Sequence, residues 1–213
     1  MEKRMSRQER EQIQLIQTVT THAEELFKEN GYENATLDAL AENSEYTKRT
    51  IYRYFVSKED LYFAVMFKGH TQLLETIQSE IKAGRTGHDK IAMAYKASYD
   101  FFNENGWLFD LIAQMKSIES KRNPDELPYY KKYADCMELI QNEIIALFIL
   151  AHDDKSIRTD IDPKQLGFSS TLILNGLFHM LRLYGDRFAP QTEVTKEKLV
   201  SFTIEFLSQA LVR

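Results

Sequence analysis

The chain has 213 residues, 43% of them apolar, and a formal net charge of −5. That length and composition supply a real hydrophobic core for one large domain or two small ones and exclude disorder as the default state. The single cysteine, Cys136, rules out an internal disulfide and a cysteine-based zinc site and fits a reducing cytoplasm. No membrane association is expected: the longest apolar run, 144–151, falls far short of the roughly 20 residues a spanning helix needs, and the charged N-terminus lacks the apolar stretch of a secretory signal.

Gly and Pro are scarce, which favours long helices. Residues 8–30 predict a first helix, with Ile13, Ile16, Thr20, Ala23 and Phe27 at helical spacing and Leu26 beside them. Gly31 is positioned to stop it. Thr36 then caps a short helix, 37–43, with Leu37, Leu40 and Ala41 facing inward. A turn at 44–46 follows, and Thr47 caps a second short helix through about Tyr54. Ser57-Lys58-Glu59-Asp60 reads as a capping box with Asp in the last place, opening a long helix to about Ala83. Two short helices between longer ones form the helix-turn-helix pattern. Ile51 and Phe55 share one face and can pack inward, which leaves Lys48, Arg49 and Tyr52 free for a groove. From Tyr46 to Lys58 there are basic residues at 48, 49, 53 and 58 and no acidic one, a local basic patch on an acidic chain. Lys3, Arg4, Arg7 and Arg10 could add a basic arm or form a mobile tail.

After the break at 84–87, helices are predicted at 88–104, 107–121, 128–152, 164–185 and 194–212, with breaks at 105–106, 123–128, 153–163 and around Pro190. In the last of these, Leu199, Phe202, Phe206 and Ala210 form one stripe and Val200, Ile204, Leu207 and Leu211 another, together about 200° of the helix surface. A surface helix needs only about half that arc. The helix at 164–185 is similarly broad, with Leu166, Phe168, Leu172, Leu177, Leu181 and Tyr184. Helices 164–185 and 194–212 from two subunits would build a four-helix homodimer interface; the alternative is that both are central helices of a monomer. An effector pocket between helices would take its lining from residues such as Tyr99, Trp107, Met115 and Phe178, and would suit a small apolar or aromatic molecule. No histidine pair has metal-ligand spacing, no cofactor is implied, and no nucleophile elbow, phosphate loop or paired-carboxylate motif suggests an enzyme.

Residues 22–65 resemble the DNA-binding domain of the tetracycline-repressor family. The resemblance is carried by Ala23, Leu26-Phe27, Asn30-Gly31-Tyr32, Ala35-Thr36-Leu37 and Leu40-Ala41, and most specifically by Thr50-Ile51-Tyr52-Arg53-Tyr54-Phe55 running on through Ser57-Lys58-Glu59-Asp60-Leu61. Farther on, 157–163 looks like the loop that often precedes the first dimer helix of that family. The resemblance implies an all-α protein of about nine helices. A three-helix helix-turn-helix DNA-binding domain, 1–60, would be followed by a C-terminal effector-binding and dimerisation domain, 61–213. It also implies a cytoplasmic homodimer that binds double-stranded, near-palindromic operator DNA as a repressor and is released by a small effector. An activator, or a regulator controlled by a protein partner, is the alternative.

Within that register Lys48 and Arg49 begin the recognition helix, where side chains meet base edges. Thr50 and Tyr52 can touch a base or a phosphate, and Tyr54 contacts the backbone by family analogy. Lys58, Thr36 and Thr47 stand at helix starts, where charge and hydroxyls can meet phosphate; capping alone is the simpler role for the two threonines. Two positions depart from the family pattern. Glu45 and Arg49 stand where Gly is frequent, and if position 45 needs a left-handed backbone, Glu there costs about 1 kcal/mol.

Overall fold

The structure, a computed structural model, describes residues 5–112, 114–116, 118, 123–192 and 194–212, with side chains throughout except at 186–192. Among the described residues it is all-helical, with nine α-helices: α1 (Arg7–Asn34), α2 (Leu37–Ser44), α3 (Lys48–Tyr52), α4 (Lys58–Glu80), α5 (Gly87–Glu104), α6 (Gly106–Ile112), α7 (Pro128–Asp153), α8 (Pro163–Thr192) and α9 (Lys196–Leu211). No described helix is long and apolar enough to cross a membrane.

The helix starts follow from side chains that satisfy free backbone N–H groups. Ser6 and Glu9 form a capping box at α1, and Thr36 accepts from Ala39 N at 3.2 Å at α2. Thr47 accepts from Thr50 N at 3.2 Å at α3. Gly31, at φ +73°, interrupts α1, so the regular helix stops where the sequence predicts and a last bent turn carries on to Asn34. Ile13 is a correction: it is exposed, and the buried stripe of α1 begins at Leu15 and runs through Val19, Thr20, Ala23, Leu26 and Phe27. A second correction concerns the break expected around Pro190, because α8 continues to Thr192. Pro190 lies in the last turn of that helix, where its missing N–H removes one hydrogen bond with little helix left to disrupt. Of the helix expected at 107–121, α6 covers the part to Ile112, residue 114 is a turn and residues 115, 116 and 118 are helical; residues 113, 117 and 119–122 lie outside the described residues, as do Lys3 and Arg4.

The chain divides into two compact units: Met1–Gly69 with Leu111–Asp135, and His70–Asp110 with Cys136–Arg213. The first is built on Val19, Ala23, Leu26, Phe27, Leu40, Ile51, Phe55, Leu61 and Tyr62, all buried. Returning chain closes it. The Tyr62 hydroxyl donates to the Leu111 carbonyl at 2.8 Å, Phe55 stacks on Tyr129 with centroids 5.3 Å apart, and Phe63 meets Tyr130 edge-on at 4.9 Å. Asp60 is fully buried there and accepts from Val56 N at 3.2 Å and Tyr129 N at 2.8 Å.

The second unit packs around Ile91, Tyr95, Phe102, Phe148, Leu174, Phe178, Leu181, Val200 and Leu207. A capping box of Thr86 and Asp89 opens α5. There Gly87 is required by close approach, since a Cβ on it would lie 2.3 Å from the Ala151 backbone in α7.

Candidate nucleic-acid interface

Ile51 on α3 and Phe55 just past its end, whose N–H donates to the Ile51 carbonyl at 3.0 Å, decide what α3 shows to solvent. Both are 1% exposed and anchor one side of this segment in the core of the first unit. The other face carries Lys48, Arg49 and Tyr52, all exposed, with Tyr52 at 51%.

The other sequence candidates are placed as follows. Thr47 and Thr50 join their hydroxyls at 2.9 Å, so Thr50 is partly committed to the cap. Thr36 is exposed at the start of α2. Tyr54 is half-buried; its hydroxyl accepts from Arg53 Nη2 at 2.8 Å, and the Arg53 guanidinium lies 4.8 Å from its ring centroid. Lys58 is turned onto the end of α1, where it donates to the Glu33 carbonyl at 3.1 Å and sits 4.4 Å over the Tyr32 ring. Arg7, from the basic arm, is held by Glu11 at 2.7 Å. Lys48, Arg49, Tyr52 and Thr50 therefore share the short recognition-type helix, while Lys58 is occupied within the unit.

Two acidic residues qualify this basic face. Glu45, in the turn between α2 and α3, has φ +59° and ψ +17°, the left-handed conformation that disfavours a side chain. Asp38, in the first turn of α2, forms an ion pair with Lys48. Sequence inspection misses Asp38 because its partner lies on the next helix and neither spacing nor periodicity announces the contact. Asp60 was legible only as the last member of a capping box. Its backbone does use the Ser57 hydroxyl, at 3.2 Å, but its carboxylate goes to Val56 and Tyr129.

In the second unit, three of the four effector candidates are present. Tyr99, Phe102, Phe109 and Phe178 form one aromatic cluster, with Phe102 stacked on Phe178 at 4.8 Å and Tyr99 at 6.1 Å from Phe178. A cavity of about 120 Å³ opens beside it, lined by Tyr99, Phe102, Asn103, Leu181, Arg182 and Lys196. Trp107 is half-buried on α6, and Met115 belongs to the first unit. Arg182 forms a forked ion pair with Asp110. Deeper in the unit, burial pushes the Tyr95 hydroxyl up to about 12. Neither Arg182, Lys196 nor Tyr95 stands out in the sequence as a site residue, because nothing local distinguishes them from ordinary surface cations and core aromatics.

Residues 19–65 match the family model described as bacterial regulatory proteins, tetR family. The matched stretch takes in most of α1, all of α2 and α3 and the start of α4. The chain is 28% identical over 90 residues to the HTH-type transcriptional activator FasR of Mycolicibacterium smegmatis, a match covering 42% of this chain and 41% of that protein. It is 31% identical over 71 residues to the fatty acid metabolism regulator protein of Bacillus subtilis, covering 33% and 37%. The chain thus spans less than half the length of these two curated relatives. In fold the likeness extends much farther: the fatty acid degradation regulator FadR from Bacillus halodurans has a TM-score of 0.68 at 15% identity, covering 92% of this chain and 98% of that one. FadR from Bacillus subtilis, solved in complex with stearoyl-CoA, has a TM-score of 0.64 at 18% identity, covering 91% and 98%.

Proposed function

We propose that the chain is a DNA-binding transcriptional regulator that acts as a homodimer on a near-palindromic operator and is released as a repressor by a small-molecule effector. The observation that carries this reading is the two-faced α3, with Ile51 and Phe55 locked inward and Lys48, Arg49 and Tyr52 open, in tetR-family register. Arg49 is suited to a forked contact with guanine, Lys48 to a single one, and Tyr52 to a thymine methyl or a phosphate. Thr36, Thr47, Thr50 and Tyr54 fit flanking phosphate contacts, and Lys58 joins them only by giving up the Glu33 carbonyl.

Dimerisation is supported by where the large apolar side chains are exposed. Phe168, Leu172, Ile173, Met180 and Leu183 on α8 and Phe202 and Phe206 on α9 all lie open on the protomer. Leu172 is 71% and Phe202 66% exposed. Apolar surface gathered on two helices of one unit is what a self-complementary interface needs. On this reading the functional division is a DNA-binding domain, 1–60, and an effector-binding and dimerisation domain, 61–213, in a cytoplasmic protein with no catalytic role.

The effector is assigned to the cavity beside Tyr99 and Phe102, whose rings suit an apolar or aromatic group and whose rim carries Arg182 and Lys196; at about 120 Å³ it must widen to admit a drug-sized molecule. Because a solved neighbour was crystallised with stearoyl-CoA, that molecule is the first probe to try. Effector and operator each weaken the other's binding by the same factor. Likeness to a protein named as an activator favours one second reading, that the same DNA contact raises transcription.

Selection of bound sequences from a random duplex pool tests the reading. An inverted repeat with half-sites about one helical turn apart is expected for two recognition helices on one face of the DNA. Enrichment of nothing, or of sequences without symmetry, rejects the dimeric operator reading. Equal affinity for stearoyl-CoA with and without the selected operator rejects that molecule as the releasing effector.

A further inference from the structure

Asp38 is exposed on α2, yet its carboxylate is paired with Lys48, the first residue of α3, across the helix-turn-helix. The side chains are 75% and 46% exposed, and Arg49 and Tyr52, on the same helix as Lys48, are exposed as well. We propose that Asp38 is a specificity-determining residue: with Lys48 it forms a two-residue reader of a G·C pair that penalises contact with phosphate alone. This rests on α3 being the recognition helix.

Non-specific DNA affinity comes from cations meeting phosphates and releasing counterions. A lysine beside a carboxylate gains less from a phosphate than a lone one, because the phosphate repels that carboxylate. The pair therefore lowers affinity for arbitrary DNA. The major-groove edge of a G·C pair has the opposite requirement. Guanine offers the N7 and O6 acceptors and cytosine offers the N4 donor, so an ammonium and a carboxylate side by side are both satisfied there. An exposed ion pair is weak in water, so opening it toward a matching base pair costs little. Two more features fit this role. Asp38 lies in the first turn of α2, where an acidic side chain complements the positive end of the helix. Arg49 follows Lys48 directly, forms no ion pair among the described residues, and can supply charge that Asp38 does not quench.

The test compares the 213-residue chain with its Asp38→Asn and Asp38→Glu variants on two probes, an operator selected by the unsubstituted protein and poly(dA-dT), across a salt series. Asp38→Asn frees Lys48 for phosphate. Its affinity for poly(dA-dT) is expected to tighten severalfold, with a salt slope steeper by about 0.9, which adds roughly a threefold loss between about 50 and 200 mM salt. Its preference for the operator over poly(dA-dT) falls about tenfold, its tolerance of changes at one G·C pair rises, and Asp38→Glu restores both. An unchanged slope and an unchanged preference in Asp38→Asn overturn the proposal while leaving operator binding intact. If the wild-type protein selects no sequence at all, the operator reading itself fails and this inference goes with it.

Discussion

The carboxylate of Asp60, wholly buried, accepts the backbone N–H of Tyr129 at 2.8 Å and so ties the start of α4 to the start of α7 within the first unit. Its other oxygen takes the N–H of Val56, in the segment that follows α3. Removing the side chain strands the buried Tyr129 N–H and the part-buried Val56 N–H, and a fully buried loss of this kind costs about 1–3 kcal/mol. Asp60→Ala is expected to lower unfolding stability by about 3 kcal/mol, and Asp60→Asn by less, since one oxygen still accepts. Denaturant titration with an unchanged slope measures both. A loss below about 0.5 kcal/mol in Asp60→Ala would mean that the tie does not hold the unit together.

The same residue sets a pH dependence. Burial raises the Asp60 carboxyl above its ordinary value of 3.8, against the lowering effects of the Tyr129 and Val56 N–H groups and of Lys132. Between 3.8 and that raised value the folded state holds more protons than the unfolded state, so this group's contribution to stability increases as pH falls through the window and decreases as pH rises. Stability profiles of the wild type and Asp60→Asn are therefore expected to diverge in slope just above 3.8, with the wild type gaining more on acidification. Parallel profiles would show that Asp60 titrates normally.

Glu45 occupies a left-handed backbone position at φ +59°. Glycine adopts that conformation without the Cβ clash, so Glu45→Gly should raise stability by about 1 kcal/mol, partly offset by the greater freedom of glycine in the unfolded chain. Thermal unfolding checks it. A lower melting temperature would mean that the Glu45 side chain contributes more than its backbone costs.

Leu172 and Phe202 are exposed on the protomer. If α8 and α9 form the proposed dimer interface, Leu172→Glu combined with Phe202→Glu should leave helix content unchanged and yield a monomer, as read by sedimentation equilibrium against the wild type. Operator affinity should fall with it, because two half-sites then bind independently. A variant that stays dimeric would move the interface away from this face of α8 and α9.

Much of the first unit was legible in the sequence because its signals are local. Thr36, Thr47 and Ser57 cap the helices they precede, Gly31 breaks α1, and the spacing of Ile51 and Phe55 buries one face of α3. The breadth of the apolar stripes on α8 and α9 also survives as exposed Phe168, Leu172, Phe202 and Phe206. What periodicity could not supply is tertiary pairing. Lys58 turns to Glu33 and Tyr32, Lys48 to Asp38, and Asp60 to Tyr129, each partner lying on another helix or segment. Ile13 kept helical spacing but falls beyond the reach of the core, so its position in the pattern overstated its burial.

The proposed function places DNA on the open face of α3. The most direct measurement is the salt dependence of binding to a selected operator for the wild type and for Lys48→Ala/Tyr52→Ala, two exposed substitutions that leave the buried Ile51 and Phe55 face untouched. A steep wild-type slope, of about −0.9 per phosphate contacted, and a loss of at least tenfold in operator affinity for the folded double variant are predicted. Equal affinities and equal slopes for the two proteins would contradict the account.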